Sequence, residues 1–146
     1  MSDEKSRVLF RAINAISADD RLLRVSKLIR DGIDLNLMFN REGQSALQRT
    51  VVLDQYTLFM LFLQSGASPS TVNTRDGTTA LHSIFMFREP MRKGKHEMFR
   101  VLLSTDIPIN KQSNFGSTAL HLAVQNSSSE YVNELLKHDA DLHIVD

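Results

Sequence analysis

Residues 77–82, Gly-Thr-Thr-Ala-Leu-His, and residues 116–121, Gly-Ser-Thr-Ala-Leu-His, are two copies of one string, and they decide the fold of this chain. A third, more diverged copy is Gly-Gln-Ser-Ala-Leu-Gln at residues 43–48. The first glycines of the three copies are 34 and 39 residues apart. Self-similarity at a period of about 20 to 50 residues is typical of stacked repeat proteins, so the sequence predicts an array of similar units.

The spacings inside each unit define its register. The motif glycine always precedes the motif leucine by four residues, and Leu9 occupies the leucine position of a first, degenerate unit without the glycine. An apolar residue of a second segment precedes the unit's last turn by seven residues, as in Val25 to Gly32 and Phe59 to Gly66. From the motif leucine to this apolar residue the spacing is 16, 12, 18 and 12 residues in units one to four. This predicts four units, with surface-turn insertions of about four residues in the first and six in the third.

Each copy of the string predicts the start of a short helix. Ser45, Thr79 and Thr118 stand where an N-cap hydroxyl accepts a hydrogen bond from a free helical N–H, and Gln48 completes a Ser-x-x-Gln capping box. The preceding glycine suits a turn with positive φ. A second helix is predicted in every unit because apolar residues recur there with a 3.6-residue period.

The period, the strings and the predicted helix pairs resemble the ankyrin-repeat family, whose motif is T-P-L-H-x-A at a period of about 33 residues. The resemblance covers residues 8–143. It implies an all-α solenoid of antiparallel helix pairs joined by β-hairpin-like finger loops. We expect one domain over residues 1–146, with repeats at approximately 5–38, 39–72, 73–111 and 112–146, the first of them a degenerate N-terminal capping repeat.

Composition bounds the classes of function. The chain has a formal net charge of zero and no cysteine. Zero net charge predicts no bulk attraction to nucleic acid or to an anionic membrane, and no apolar run approaches the ~18 residues of a membrane span. The first residues lack the apolar segment of a secretory signal, so we expect an intracellular protein, cytoplasmic or nuclear, that does not insert into membranes.

The last unit closes near Asp146 without a polar capping unit comparable to the first one. Terminal repeats need a polar outer face because a single unit cannot bury its apolar side alone. We therefore expect that the natural protein continues past residue 146, or that another chain covers this edge.

The sequence predicts no catalysis, no metal and no cofactor. For His82 and His121 the resemblance implies a structural role, with the imidazole bonded to the N-cap hydroxyl and the neighbouring turn. Phe10 and Gln48 hold the same position in the first two units, so no histidine ladder is expected along the array. Zinc needs three or four convergent ligands, which two histidines on different units do not supply. Nucleophile-elbow, phosphate-loop and metalloprotease strings are absent as well.

Exposed positions of the repeats are predicted to carry the function. The resemblance implies a concave face built from the fingers and the first helices. Because most groove positions are apolar, we expect a protein or peptide partner with an apolar ridge. The candidate fingertip contacts are Arg41, Glu42, Gln44, Arg75, Asp76, Asn114 and Phe115. The candidate groove contacts are Arg49, Leu53, Ser83, Met86, Phe87, Leu122 and Gln125.

Two of these aromatic residues have open alternatives. Phe115 is either a binding anchor or packed onto its own finger, and Phe87 either lines the groove or packs under the insertion of the third unit. On the second helix of unit two, Met60 and Leu61 form either a convex contact patch or a more deeply packed helix.

A basic cluster surrounds Pro90 in the third-unit insertion. It is either a solvated loop or an accessory contact, and without interleaved aromatic residues it gives no expectation of nucleic-acid binding. The cluster consists of Arg88, Arg92, Lys93, Lys95 and His96.

We therefore expect a non-enzymatic domain that docks a partner protein or peptide through its concave face, as the recruiting module of a larger protein. One alternative is a small, complete inhibitor resembling the ankyrin proteins that sequester transcription factors of the NF-kappa-B type. The string Gly-Ser-Thr-Ala-Leu-His-Leu-Ala-Val at residues 116–124 is compatible with that group. A further alternative is self-association through the edge of unit four.

Overall fold

Four helix pairs, one for each predicted unit, make up the computed structural model, which describes residues 2–87, 91–126 and 128–145. Connections of three or four residues join the two helices in units one, two and four, and such short connections make helices antiparallel neighbours. A single turn of 3-10 helix, Leu35–Leu37, precedes the first finger. The helices are α1 (Ser2–Ile13), α2 (Ala18–Arg30), α3 (Ala46–Val52), α4 (Tyr56–Gln64), α5 (Ala80–Phe85), α6 (Lys93–Leu103), α7 (Ala119–Gln125) and α8 (Ser129–Lys137).

The first helices of the units pack side by side in chain order, α1 against α3, α3 against α5 and α5 against α7. Each second helix packs against the first helix of its own unit. The motif leucines Leu9, Leu47 and Leu81 are buried between the two rows, together with Phe59 and Phe99 of the second row. The all-α solenoid is thus confirmed.

Side-chain caps start the short helices of the first row, as predicted. The Ser45 hydroxyl accepts a hydrogen bond from Gln48 N at 3.2 Å, and Gln48 Oε1 accepts one from Ser45 N at 3.0 Å. Thr118 and His121 form the corresponding reciprocal pair at α7. The first four N–H groups of a helix have no intrahelical partner, so a side chain that accepts a bond from one of them locates the start of the helix.

Loops before the first helices stack as fingers. Backbone bonds join neighbouring fingers: Thr74 N donates to Gly43 O at 3.0 Å, and Asn114 N donates to Asp76 O at 2.8 Å. Gly77 has a φ of +73° and lies so close to the next finger that a Cβ there would be 2.6 Å from Asn114 Oδ1. The motif glycine is therefore needed both for its backbone conformation and for close stacking.

The prediction that the insertions lie in surface turns was wrong for the first unit. In the first unit most of the extra residues extend α2, which begins seven residues before Val25, whereas α4 begins three residues before Phe59. The turn between α1 and α2 covers only residues 14–17. A local signal explains the extension, because Ser17 caps α2 by accepting a bond from Asp20 N at 3.4 Å. In the third unit, the connection between α5 and α6 covers residues 86–92.

Candidate partner-binding surface

Gln48, His82 and His121 make one series of bonds, in which Gln48 fixes unit two to unit three and His82 fixes unit three to unit four. Gln48 Nε2 donates to Thr78 O at 2.9 Å in the following finger. His82 Nε2 contacts Ser117 O at 3.0 Å, and Ser117 is the counterpart of Thr78 one unit later. The sequence predicted no histidine ladder because Phe10 and Gln48 occupy this position in the first two units. The bonds nevertheless run from unit two onward, since the glutamine amide takes the place of an imidazole.

The bonds of His82 define its protonation. Its Nδ1 accepts from Thr79 N at 3.1 Å, so the single ring proton lies on Nε2 and is donated to Ser117 O. Burial lowers the pKa of His82 below its ordinary value, an effect that the bond to Ser117 O only partly opposes. Because both ring nitrogens of the neutral imidazole are hydrogen-bonded, His82 has a structural role and is not available as a general base.

His121 repeats the arrangement at the end of the array. Its Nδ1 accepts from Thr118 N at 2.9 Å, and its Nε2 contacts Ile144 O at 2.9 Å. Within the described residues, no group of three or more histidine, aspartate or glutamate side chains is placed to hold a metal ion.

A second series of side-chain bonds, which the sequence interpretation missed, connects the turns after the second helices. Asn36 Oδ1 accepts from Ser68 N at 2.7 Å, and Asn36 Nδ2 donates to Gly66 O at 3.0 Å. Asn110 makes the same two bonds with Asp141 N and Asp139 O. The signal was present as an asparagine four residues after the last turn of units one and three.

The fingertips present most of their predicted residues to solvent. Phe115 is 80% exposed, which excludes packing onto its own finger and leaves the free-anchor alternative. Arg41, Glu42, Arg75 and Asn114 are exposed as well. The fingertip candidates therefore lie on one accessible edge of the molecule.

Two fingertip residues also hold the loops in shape. Asp76 Oδ1 accepts from Thr78 Oγ1 at 2.6 Å, and Gln44 Oε1 accepts from Asn40 Nδ2 at 2.9 Å. Both are half-buried. Their carboxylate and amide are therefore used within the fingers.

The groove is more apolar toward its C-terminal half. Met86 and Phe87 are exposed at the end of α5, and Gln125 is exposed on α7. Leu122 is half-buried beside Val124, an exposed apolar residue that the sequence interpretation did not include. Met86 and Phe87 thus add apolar surface at the end of α5. Val124 instead lines the open end of unit four together with Leu120 and Leu142.

The N-terminal half of the groove is more polar. Arg49 is half-buried on α3, and its Nε donates to Asn14 Oδ1 at 3.2 Å. Leu53 follows α3 and packs against the core, so only part of its side chain is accessible. These two positions therefore offer a guanidinium and a small apolar surface.

Ser83 does not line the groove, which corrects the prediction. It is 1% exposed, and its hydroxyl donates to Thr79 O at 3.3 Å inside α5. Because α5 lies between α3 and α7, a side chain as short as serine does not reach beyond its neighbours. Arg49 and Leu122, at the same position of the adjacent units, are longer and remain partly accessible.

The basic cluster is only partly a surface feature. Arg92 and Lys93 are exposed, whereas Lys95 is 6% exposed and its Nζ lies 5.7 Å from the centroid of the Phe87 ring. His96 Nδ1 contacts the Tyr131 hydroxyl at 2.8 Å. The prediction of Lys95 as an exposed contact was therefore wrong, since its ammonium packs over an aromatic face. Arg88 lies outside the described residues.

Met60 and Leu61 are half-buried and pack against the core of the molecule. This favours the alternative of a more deeply packed α4 over a convex contact patch. The apolar sequence of α4 is thereby explained by the interior of the protein.

A cleft of about 490 Å³ lies at the N-terminal end of the concave face, between α1 and the first finger. The sequence interpretation treated the arginines of α1 only as part of a polar cap. The residues lining the cleft are Asp3, Ser6, Arg7, Phe10, Arg11, Asn14, Phe39, Asn40, Arg41, Glu42 and Arg49.

Comparisons with known proteins agree with the repeat architecture. A family model described as ankyrin repeats in three copies matches residues 51–146. The B-cell lymphoma 3 protein homolog of Mus musculus is 30% identical over 133 residues, which are 91% of this chain and 28% of the relative. The B-cell lymphoma 3 protein of Homo sapiens is 31% identical over 113 residues, 75% of this chain and 23% of the relative. The chain thus spans about a quarter of the length of these curated relatives.

In the part of the chain that the structure describes, no helix has the length and apolar character needed to cross a membrane. The helix pairs, the stacked fingers, the capped motif strings and the matching family model agree on one assignment. The chain belongs to the ankyrin-repeat family, a family of protein–protein interaction modules.

Proposed function

We propose that this chain binds a partner protein or peptide through its concave face, without catalysing a reaction on it. The observation that carries the proposal is the placement of Phe115, an aromatic side chain 80% exposed at the tip of the third finger. A large exposed aromatic side chain costs solvation free energy in the unbound protein and gains most when a partner buries it.

Further support comes from the end of α5. Met86 and Phe87 are exposed apolar residues there. Phe87 is braced by the Lys95 ammonium over its ring, so its position is partly fixed before binding. A partner with an apolar ridge, such as an amphipathic helix or an extended peptide, matches this half of the groove.

The decisive variant replaces Phe115 and Phe87 with glutamate. We expect the double variant to lose partner capture by at least about tenfold, because two apolar anchors are replaced by charges that would have to be desolvated. The melting temperature should change by no more than about 3 °C, since both side chains are largely outside the core. Partner capture is measured by pull-down with quantitative mass spectrometry, and affinity by titration of the captured partner.

The matched control is the pair Ile16→Glu and Leu23→Glu. Both residues are exposed and apolar, but they lie in the α1–α2 turn and on α2. The control should bind normally. Equal binding by the Phe115→Glu, Phe87→Glu variant and the parent protein would refute a concave binding face.

A second candidate is sequestration of a transcription factor of the NF-kappa-B type. The string at residues 116–124 favours it, because it is compatible with ankyrin inhibitors of that class. Titration of purified factors of this class against the chain tests it, with the Phe115→Glu, Phe87→Glu variant as a comparison. Failure of every such factor to bind would remove this candidate and leave the general proposal intact. A role as the recruiting module of a larger intracellular protein is part of the same proposal.

Self-association is a third candidate, favoured by the exposed apolar residues Val124, Leu142 and Val145 at the end of unit four. Burial of these three side chains against another copy would remove apolar surface from water. Sedimentation equilibrium over a hundredfold range of concentration tests this candidate. A mass that stays monomeric throughout, and equals that of a Leu142→Asp, Val145→Asp variant, would exclude it.

A further inference from the structure

Four arginines converge on the cleft at the N-terminal end of the concave face. Arg7 and Arg11 lie on α1, Arg41 lies on the first finger, and Arg49 lies on α3. They come from separate segments of a chain whose formal net charge is zero. The fold therefore concentrates positive charge in one concave region, although the formal net charge of the whole chain is zero.

Two of these arginines are available to a ligand. Arg11 and Arg41 are exposed, and neither makes a hydrogen bond or ion pair with another described residue. Arg49 uses only its Nε in the bond to Asn14 Oδ1, which leaves the outer edge of its guanidinium outside that bond.

The cleft also has an apolar floor and an acidic component. Phe10 is buried and Phe39 is half-buried beneath the arginines. Asp3 pairs with Arg7 at 3.1 Å and Glu42 is exposed on the finger, so the lining holds four cations and two anions.

We infer that this cleft binds an extended acidic segment of the partner protein, with carboxylates directed at Arg11 and Arg41 and an apolar side chain over Phe39. Guanidinium groups match carboxylates with two parallel hydrogen bonds, and a cleft with a phenylalanine floor also accepts an apolar side chain. The inference rests on the proposed function, since it specifies the chemistry of one part of the partner.

A peptide fits this cleft better than a nucleic acid does. A nucleic acid carries a charge on every phosphate, and its backbone would meet the carboxylates of Asp3 and Glu42 along the same surface. A peptide can alternate acidic and apolar residues so that each meets its complement. Successive stacked bases also need several accessible rings, and among the lining residues only Phe39 is partly exposed, since Phe10 is buried.

The test is selection of a phage-displayed library of random peptides, about 12 residues long, on the full chain. A synthetic copy of the most enriched peptide is then titrated by fluorescence anisotropy at about 50 and 200 mM NaCl. The test variant is Arg11→Glu with Arg41→Glu. The matched control is Arg30→Glu with Arg100→Glu, which makes the same charge change at exposed positions on α2 and α6 outside the cleft. Arg11→Gln with Arg41→Gln is a second test variant that removes the charges without reversing them.

We expect the enriched peptides to be net negative and to contain an apolar residue. The selected peptide should bind the control pair within about twofold of the parent protein, and the charge-reversed variant at least about tenfold more weakly. The Gln pair should fall between them, and the higher salt concentration should weaken binding to the parent. If circular dichroism shows the charge-reversed variant unfolded, the Gln pair alone decides.

Several results would overturn the inference. In the selection, these are the enrichment of neutral or basic peptides only, or of no peptide at all. In the titration, one is equal affinity of the parent protein and the Gln pair for the peptide. Another is displacement of the peptide by single-stranded DNA at a lower concentration than by unlabelled peptide. Neutral peptides that depend on Phe115 would contradict the acidic cleft while supporting the concave binding face. Whether the partner binds through the concave face at all is tested separately by the Phe115→Glu, Phe87→Glu variant.

Discussion

Single side chains link the second repeat to the third and the third to the fourth, and they do so with two different functional groups. The amide of Gln48 and the imidazole of His82 each accept a bond at their own N-cap and contact a carbonyl of the following finger. The amide oxygen replaces Nδ1, and the amide nitrogen replaces Nε2. The imidazole of His82 can take up a proton as the pH falls, whereas the amide of Gln48 cannot.

This difference predicts a pH dependence of stability. Burial lowers the pKa of His82 in the folded state, so between that pKa and the ordinary value of about 6.5 the unfolded chain binds more protons. The stabilisation from neutral His82 is therefore fully present above about pH 6.5 and is lost as the pH falls below it. Urea unfolding at a series of pH values from about 7.5 to 5 measures the decline in unfolding free energy.

His82→Gln isolates the contribution of this histidine. Because Gln48 makes the same pair of bonds, we expect His82→Gln to fold and to lose less stability on acidification than the parent protein. His143→Gln makes the same change at an exposed histidine and should retain the parent's decline. Identical pH profiles for His82→Gln and the parent would contradict the assigned role.

Sequence reasoning identified the histidine position as structural but interpreted Gln48 as an interruption. The bond of Gln48 at its own N-cap was predictable from the sequence, since Ser45 and Gln48 form a capping box. What it does not contain is the distance from the amide nitrogen to Thr78 O, because that carbonyl belongs to the next unit and is placed by stacking. Contacts between units were for this reason the least predictable ones.

At the scale of elements, the turns of the repeats depend on glycine in two separable ways. Gly77 and Gly66 both have positive φ, at +73° and +96°. A Cβ at Gly66 would meet nothing within 4 Å, whereas one at Gly77 would be 2.6 Å from Asn114 Oδ1 and 3.3 Å from Asn114 N. Asn114 cannot move away freely, because its backbone and side chain donate to Asp76 O and Arg75 O.

Alanine substitution should separate the two effects. Gly66→Ala is expected to cost about 1 kcal/mol, from the left-handed backbone conformation alone. Gly77→Ala should cost about 1–3 kcal/mol more, because the added methyl group must also push the next finger away. Urea denaturation of both variants provides the comparison. Equal losses would mean that the contact between these fingers contributes little.

Helix existence and register were predictable because the 3.6-residue period and the hydroxyl caps are local properties. The placement of the insertions was not, since extra residues can lengthen a helix as easily as a turn. Ser17 was the available signal for the longer α2, as a serine followed by two aspartates is typical of a helix start. The burial of Lys95 had no such signal, because it depends on how the connection after α5 places Phe87.

At the scale of the whole molecule, the concave face divides into two chemical halves. The N-terminal half contains the arginine cleft between α1 and the first finger. The C-terminal half presents Met86, Phe87 and Phe115. A partner that satisfies both halves would carry an acidic segment next to an apolar one. Because arginines from three elements meet only after the repeats stack, counting charge along the sequence gives zero and hides this division.

Photo-crosslinking from the third fingertip is the most direct test of the central claim that a partner lies in the concave face. In one variant the photoreactive residue p-benzoylphenylalanine replaces Phe115, and in the other it replaces Leu23, an exposed apolar residue on α2. Irradiation in a cell extract, followed by mass spectrometry, identifies the crosslinked chains. The account predicts a specific partner crosslinked from position 115 and absent at position 23. The same partner crosslinked from position 23 and not from position 115 would contradict it.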